Sequence, residues 1–289
     1  MNTIVIKALA KINLAIDVLG RRDDGYHNVD MVTIPLKLHD SIEVTPLPHT
    51  SRTYLVSDDP TIICDESNLA FQAFHLMNEK YKINAAYKIF IYKKIPVEAG
   101  LGGGSADAAA VLHAFNTILS DDKAGESELS EIGLSIGSDI PFCLLNKPAR
   151  VEGKGEKLTT IKVKYPYHVL IVKPDVGLST AEIYRALDGI DVSSLPRPTV
   201  PALIKGLEKD DHDLICENMI NILTVPAVKA LPLIQDILDQ FEMMGLDLCG
   251  MSGTGSACFA LSKDKKALEK AARFFEKQGY EAYLTEFAI

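Results

Sequence analysis

The sequence predicts an α+β protein of two layered domains, and three observations carry that expectation. Strand-like and helix-like periodicities alternate irregularly along all 289 residues, without the regular strand–helix beat of a barrel. A polar, turn-rich stretch, VEGKGEKLTTIKVKYPYH, interrupts the chain past its midpoint. A composition of 47% hydrophobic and 24% charged residues is enough to bury real cores without metal or disulfide staples. The boundary is therefore expected near residue 160, giving domains 1–160 and 161–289. Each is expected as an α/β sandwich on a largely antiparallel or mixed sheet.

The elements follow in order. Ile12, Leu14, Ile16 and Val18 alternate with Lys11, Asn13, Ala15 and Asp17, which is strand periodicity and puts Lys11 and Asn13 on one face. RRDDGYH breaks the strand as a turn. NLAFQAFHLMNEKY reads as a helix with Ala70, Ala73, Phe74, Met77 and Tyr81 on one stripe. YKIFIYKKI is a strand ending at Pro96. Ala108, Val111, Leu112, Phe115, Ile118 and Leu119 recur at helical spacing, and Ser105 is a suitable N-cap for that helix. ESELSEIGLSI is a shorter helix stopping at Gly137, and IPFCLL reads as a buried strand behind the turn GSD. HVLIVKP is a strand, PRPTVPALIKG a loop entering a helix, and VKALPLIQDILDQFEMMG helical in its second part. DLCGMSGTGSACFALS reads as two short strands around a glycine turn. KKALEKAARFFEKQG is a helix with Leu268, Ala271, Ala272 and Phe275 inward, and YEAYLTEF is a last strand.

Charge and cysteine usage narrow the function. A net charge of −9 repels phosphate backbones, so nucleic acid is not an expected partner. Five cysteines without metal-pair spacing read as buried, reduced thiols of a cytoplasmic protein. Lys7 and Lys11 interrupt the apolar N-terminal residues, so neither a signal peptide nor a transmembrane span is expected.

The densest signal is IPVEAGLGGGSADAAA, with four glycines between Gly100 and Gly104 directly before a helix. Glycines allow close backbone approach and positive φ, and a helix N-terminus offers unpaired N–H groups with partial positive charge. Together they can cradle phosphate without a basic side chain. A Walker A loop would need Lys and Ser/Thr after its last glycine, where Ser105 and Ala106 stand. A dinucleotide fingerprint would need cleaner G-x-G-x-x-G spacing. A close-packed turn without ligand is the remaining alternative. Asp107 is placed in the first helical turn, where a carboxylate also complements the helix dipole.

Phosphoryl transfer needs a phosphate cradle, a cation and a group that orients or deprotonates the nucleophile. Asp139, in GSDIPF, is the base candidate, and Lys11 its partner candidate. Each also reads as an ordinary surface charge. DGYHN offers Tyr26 and His27 side by side, able to stack on and hydrogen-bond a base, or to form a polar turn. GMSGTGSA, Gly250 to Ala257, reads either as a site wall or as a hairpin.

In order and spacing, AKINLAIDVLGRRDDGYH, PVEAGLGGGSADAAA, GSDIPF and MSGTGSACFAL resemble the GHMP small-molecule kinases over essentially the whole chain. AKIN…DGYH narrows the resemblance to the branch acting on a cytidine-diphosphate-linked methylerythritol in non-mevalonate isoprenoid synthesis. The resemblance implies a two-domain kinase with its site in the interdomain cleft and ATP-dependent phosphorylation of the substrate's 2-hydroxyl. It implies that Asp139 takes or orients the hydroxyl proton, with Lys11 beside it. It implies that Pro96, Val97, Glu98, Ala99, Gly100, Leu101, Gly102, Gly103, Gly104, Ser105 and Ala106 wrap the ATP phosphates, with Asp107 near the nucleotide. Asn68, Leu69 and Lys93 fall on the adenine side. Tyr26 and His27 match the cytidine-recognition pair, and Asn13, Thr180 and Tyr184 fall at substrate contacts. Mg²⁺ is expected to arrive with ATP, with no dedicated protein metal cage. The expected partner is the small-molecule substrate, with no nucleic acid and no membrane, in a cytoplasmic monomer or homodimer.

The sequence departs from the family pattern in three places. Ser256-Ala257 stands where relatives usually have Pro-Thr, Thr33 where they often place a bulky apolar residue, and Ser138 where alanine is common. The alternatives are another GHMP kinase, of homoserine or mevalonate type, and a non-catalytic relative that binds a nucleotide or metabolite.

Overall fold

The computed structural model describes residues 2–48, 51–119 and 124–289. The chain divides into two compact units, and they are not its two sequential halves. The first comprises the segment up to Ala10, Leu38–Ile95 and Gly102–Asn146; the second comprises Lys11–Lys37, Pro96–Leu101 and Lys147–Ile289. The partition expected at residue 160 differs from this division, because Lys11–Lys37 and Pro96–Leu101 group with the C-terminal segment. The division falls inside two long strands that pair with each other, β1 (Ile4–Arg21) and β2 (His27–Pro46).

In the first unit, Ser41–Pro46 of β2 pairs antiparallel with β4 (Tyr87–Tyr92), and β3 (Tyr54–Ser57) pairs parallel with β4, so the sheet is mixed. Among the described residues its helices are α1 (Leu69–Tyr81), α2 (Gly103–Ile118), α3 (Glu126–Ile136) and α4 (Ile140–Leu145). The alanines of α2 let α1 pack closely on it, and Ala106–Leu112 is buried without interruption. Phe115 closes this core, with Phe74 at 5.0 Å and Tyr87 edge-on at 5.1 Å. IPFCLL is a helix, correcting the strand expected there. Pro141 occupies its first turn, where a missing N–H does no harm, and Asn146 caps it in the left-handed region.

In the second unit, Val29–Thr33 of β2 pairs antiparallel with β5 (Ala149–Gly153), and β5 with β6 (Lys157–Thr160). A four-stranded antiparallel sheet runs β10 (Glu281–Glu286), β7 (His168–Lys173), β9 (Cys258–Ser262), β8 (Cys249–Met251). Its helices are α5 (Thr180–Asp188), α6 (Val200–Lys209), α7 (His212–Asn218), α8 (Thr224–Ala230), α9 (Leu233–Met243) and α10 (Lys265–Lys277). Leu268, Ala271, Ala272 and Phe275 form the buried stripe of α10, as their spacing predicts.

The strand alternation at residues 11–18 is real, but both faces are buried, so Lys11 and Asn13 lie inside rather than toward water. All five cysteines are free thiols. Cys143 and Cys258 are buried, whereas Cys216 is exposed and Cys64 and Cys249 are half-buried, so the expectation of burial holds for two of them. Among the described residues, no helix is long and apolar enough to cross a membrane.

Candidate active site

Each unit carries its own cluster of candidate residues. The glycine segment supplies both, with Pro96–Leu101 in the second unit and Gly102 onward in the first. Glu98, Gly100 and Gly102 all take positive φ, of 53°, 71° and 71°. Gly102 is the N-cap of α2 and no side chain caps that end. The cap expected at Ser105 is therefore corrected: a left-handed glycine starts the helix three residues earlier. The first-turn amides of Gly103, Gly104 and Ser105 lack intrahelical acceptors by geometry and carry the positive end of the dipole.

In the first unit, the other candidates gather at this helix start. A Cβ on Gly103 would lie 3.3 Å from Lys93 Nζ, and one on Gly104 would lie 3.7 Å from Leu69 Cδ1. Leu69 opens α1, whose cap is Asn68: its Oδ1 accepts from Ala70 N at 2.9 Å and its Nδ2 donates to Ile63 O at 2.8 Å. Two helix N-termini thus lie together, the electrostatic setting that a polyanion requires. A Cβ on Gly137 would lie 3.9 Å from Ser105 Oγ, which brings the GSD turn to the same end of α2. Asp139, on that turn, is the half-buried N-cap of α4. Its backbone carbonyl accepts from Cys143 N at 3.1 Å, while its side chain makes no cap bond to the helix.

Lys93 is held by two carboxylates. Its Nζ donates to Asp40 Oδ2 at 2.5 Å and to Asp107 Oδ2 at 2.9 Å. Asp40 Oδ1 accepts in turn from the backbone N–H of Lys94 and Ile95. The side chains are nearly inaccessible, at 6% for Lys93, 0% for Asp40 and 5% for Asp107. Two carboxylates therefore share one ammonium. Burial pushes the Asp107 carboxyl well above the usual range and the Asp40 charge adds to that, while Lys93 opposes it. The two carboxylates outweigh desolvation at Lys93 and raise its ammonium. Asp107 Oδ1 is buried without a hydrogen-bond partner. Asp107 was expected in the first turn of the helix as a dipole complement; it is the fifth residue of α2, and Lys93 is its partner instead. Asp40 was not anticipated, since its place in LKLHDSIEV reads as an ordinary polar strand position.

In the second unit, Lys11 and Asn13 share a face, as predicted, and Lys11 Nζ donates to Asn13 Oδ1 at 2.7 Å. Asn13 Nδ2 donates to Thr33 Oγ1 at 2.9 Å, so Thr33 belongs to this buried network. The backbone N–H of Lys11 donates to Leu101 O at 2.9 Å, tying β1 to the glycine segment. Gly100 is pinned from the other side. Ser252 Oγ donates to Gly100 O at 2.9 Å and accepts from Asn13 N at 3.4 Å. Asn221 Nδ2 braces the same loop by donating to Met251 O and Gly253 O at 2.9 and 2.7 Å. The 250–257 loop therefore backs the glycine segment. Ser252 and Asn221 were missed; only the glycine-rich loop around Ser252 signalled them.

Tyr26 is exposed, with Lys154 Nζ 5.3 Å above its ring. His27 stacks on Tyr184 at 5.0 Å and 27°, and its Nε2 meets Asp188 Oδ1 at 2.7 Å. Asp188 carried no sequence signal. Thr180 Oγ1 lies 3.1 Å from Thr254 Oγ1, which joins α5 to the 250–257 loop.

Known families share both the sequence and the shape. Residues 68–147 match the GHMP kinases N terminal domain and residues 203–281 the GHMP kinases C terminal domain. The chain is 40% identical over 267 residues to a 4-diphosphocytidyl-2-C-methyl-D-erythritol kinase of Geobacillus thermodenitrificans, covering 92% of this chain and 90% of that one. It is 37% identical to the enzyme of that name from Acetivibrio thermocellus, covering 99% of each. Its fold is similar to a crystal structure of 4-(cytidine 5'-diphospho)-2C-methyl-D-erythritol kinase, with a TM-score of 0.82 and 29% identity, covering 98% of this chain and 99% of that one. The mixed sheet with its helices in one unit and the antiparallel sheet with its helices in the other are the two-domain α+β architecture of that group. The chain belongs to the GHMP kinases and, within them, to the 4-diphosphocytidyl-2-C-methyl-D-erythritol kinase family.

Proposed function

We propose that this kinase transfers the γ-phosphoryl group of ATP to the 2-hydroxyl of 4-(cytidine 5'-diphospho)-2-C-methyl-D-erythritol, a step in non-mevalonate isoprenoid precursor synthesis. The observation that carries the reading is the start of α2. Gly102 turns the chain left-handed, no side chain caps the helix, and Asn68, Leu69 and Lys93 lie around it. Family membership supplies the substrate class.

In this reading the amides of Gly103, Gly104 and Ser105 bind ATP phosphate oxygens. Gly100 is held by Ser252 so that the preceding segment, Pro96 to Leu101, keeps its form. Asn68 and Leu69 flank the adenine side. Lys93 acts from beneath Gly103 as a buried charge, because its ammonium is committed to Asp40 and Asp107. Asp139 orients the acceptor hydroxyl and takes its proton. Lys11, oriented by Asn13, supplies positive charge to the reaction. Tyr26, His27 and Tyr184 receive the cytosine, and Asn13 and Thr180 contact the substrate. Mg²⁺ arriving on ATP neutralises phosphate charge when bound. Among the described residues no three His, Cys, Asp or Glu side chains are placed to hold a metal. The enzyme is assigned to the cytoplasm, as a monomer or homodimer with no nucleic-acid or membrane partner.

Phosphorus NMR of the purified protein with Mg-ATP and the cytidine substrate tests this. A new phosphomonoester signal growing with ADP is the expected result. ATP binding without any new phosphomonoester would overturn the assignment of substrate.

A further inference from the structure

We propose that Asp188 is a positioning residue: it fixes which ring nitrogen of His27 carries hydrogen, and so makes His27 a reader of a base bearing an exocyclic amine. This rests on the reading above, in which His27 meets the nucleobase.

Helix α5 supplies two side chains to one imidazole. Tyr184 and Asp188 are four residues apart, hence on one face of the helix. Tyr184 stacks on His27 and sets the plane of the ring. Asp188 meets its edge at Nε2, 2.7 Å away. Asp188 is the last residue of α5, where the helix dipole disfavours a carboxylate. Its partners offset that disfavour: His27 on Oδ1 and the Arg21 guanidinium 3.6 Å from Oδ2.

An ionised carboxylate only accepts hydrogen bonds, so Nε2 is the donor. In a neutral imidazole Nδ1 is then a bare lone pair. Arg21 shares the Asp188 charge, Lys154 stands over the neighbouring Tyr26 ring, and Arg22 is already paired with Asp24. The His27 side chain is only 9% exposed, so the proton arrangement is set by these neighbours more than by water.

An acceptor at Nδ1 suits the 4-amino group of cytosine. At the same position uracil presents a carbonyl oxygen, and two lone pairs would face each other. Asp188 thereby converts an imidazole able to serve either base into one that favours cytosine. No bond is made or broken; the effect is one of hydrogen placement.

The test uses the full chain labelled with ¹⁵N-histidine at a single alkaline pH, with the His27 signal assigned by its loss in His27→Gln. Hydrogen on Nε2 alone is expected in the wild type, a mixture of tautomers in Asp188→Ala, and recovery in Asp188→Asn, whose Oδ1 still accepts from Nε2. In parallel, kcat/KM is measured for the cytidine- and uridine-diphosphate forms of the substrate. Asp188→Ala should lower the cytidine preference about tenfold, the worth of one net hydrogen bond, and Asp188→Asn should restore it. Hydrogen on Nδ1 or on both nitrogens in the wild type, or an unchanged preference in Asp188→Ala, overturns the inference while the functional reading stands. If the wild type turns over neither nucleotide form, the functional reading fails and the inference falls with it.

Discussion

Lys93 donates a 2.9 Å hydrogen bond to Asp107 Oδ2 and a second, of 2.5 Å, to Asp40 Oδ2. The cluster holds one more negative charge than positive if both carboxylates are ionised. In a site this dry the surplus charge is disfavoured, which is why Asp107 holds its proton up to about pH 7.

A pH effect on stability follows with a definite sign. The unfolded Asp107 loses its proton near 3.8 and the folded one near 7, so the folded state binds more protons between those values. The protonated carboxyl favours folding fully below about pH 4, and that contribution is lost as pH rises toward 7, at no more than about 1.4 kcal/mol per unit. Asp107→Asn keeps an acceptor for Lys93 and cannot ionise. Urea unfolding at pH 5, 6 and 7 should show the wild type losing stability relative to Asp107→Asn across the series. Parallel curves would mean that the cluster holds no extra proton.

Some of this site could be read in the sequence and some could not. The glycine run, Lys11 beside Asn13, and the helix opening at Leu69 are local patterns, and each has the form its spacing implies. Asp40, Asp188 and Asn221 act on partners far away in sequence, and no local period marks a long-range pair. The start of α2 was misplaced because a left-handed glycine cap leaves no side-chain signature, whereas Ser105 looks like a cap and is not one. IPFCLL is six apolar residues, too short for periodicity to separate helix from strand. Pro141 just after Asp139 was the available signal for a helix start.

Thr33 is buried, and its hydroxyl accepts from Asn13, which in turn accepts from Lys11. Thr33→Val keeps the shape and leaves a buried amide N–H without its acceptor. The expected loss is about 1–3 kcal/mol in chemical unfolding, together with a lower kcat/KM as Asn13 loses its fixed orientation. Thr33→Ser should recover both. Normal stability and activity in Thr33→Val would show that Asn13 is held by other means.

Two glycines four residues apart should respond in opposite ways to the same substitution. At Gly100, φ is +71° and an added Cβ would lie 2.1 Å from Ser252 O, a contact that backbone cannot yield easily. Gly100→Ala is expected to cost about 3 kcal/mol or more. Gly104 has ordinary helical φ and would meet only Leu69 Cδ1 at 3.7 Å. Gly104→Ala should therefore be neutral or stabilising by up to about 1 kcal/mol. Thermal unfolding of the two variants measures the difference, and any activity lost in a stable Gly104→Ala reports on how closely ATP approaches.

Replacing Asp139 should separate binding from chemistry. Its backbone carbonyl already serves the start of α4, and its side chain does not cap that helix, so Asp139→Asn leaves α4 its backbone bond to Cys143. The charge that would accept the hydroxyl proton is removed while the size is kept. The expected result is a fall in kcat of about a thousandfold, within the usual worth of a general base. ATP affinity by calorimetry should stay within about threefold of wild type, because the α2 amides proposed to bind phosphate are untouched. Turnover within tenfold of wild type would remove Asp139 from proton transfer and leave phosphate positioning as the main source of rate. A matched loss of ATP affinity would instead place Asp139 in holding the nucleotide.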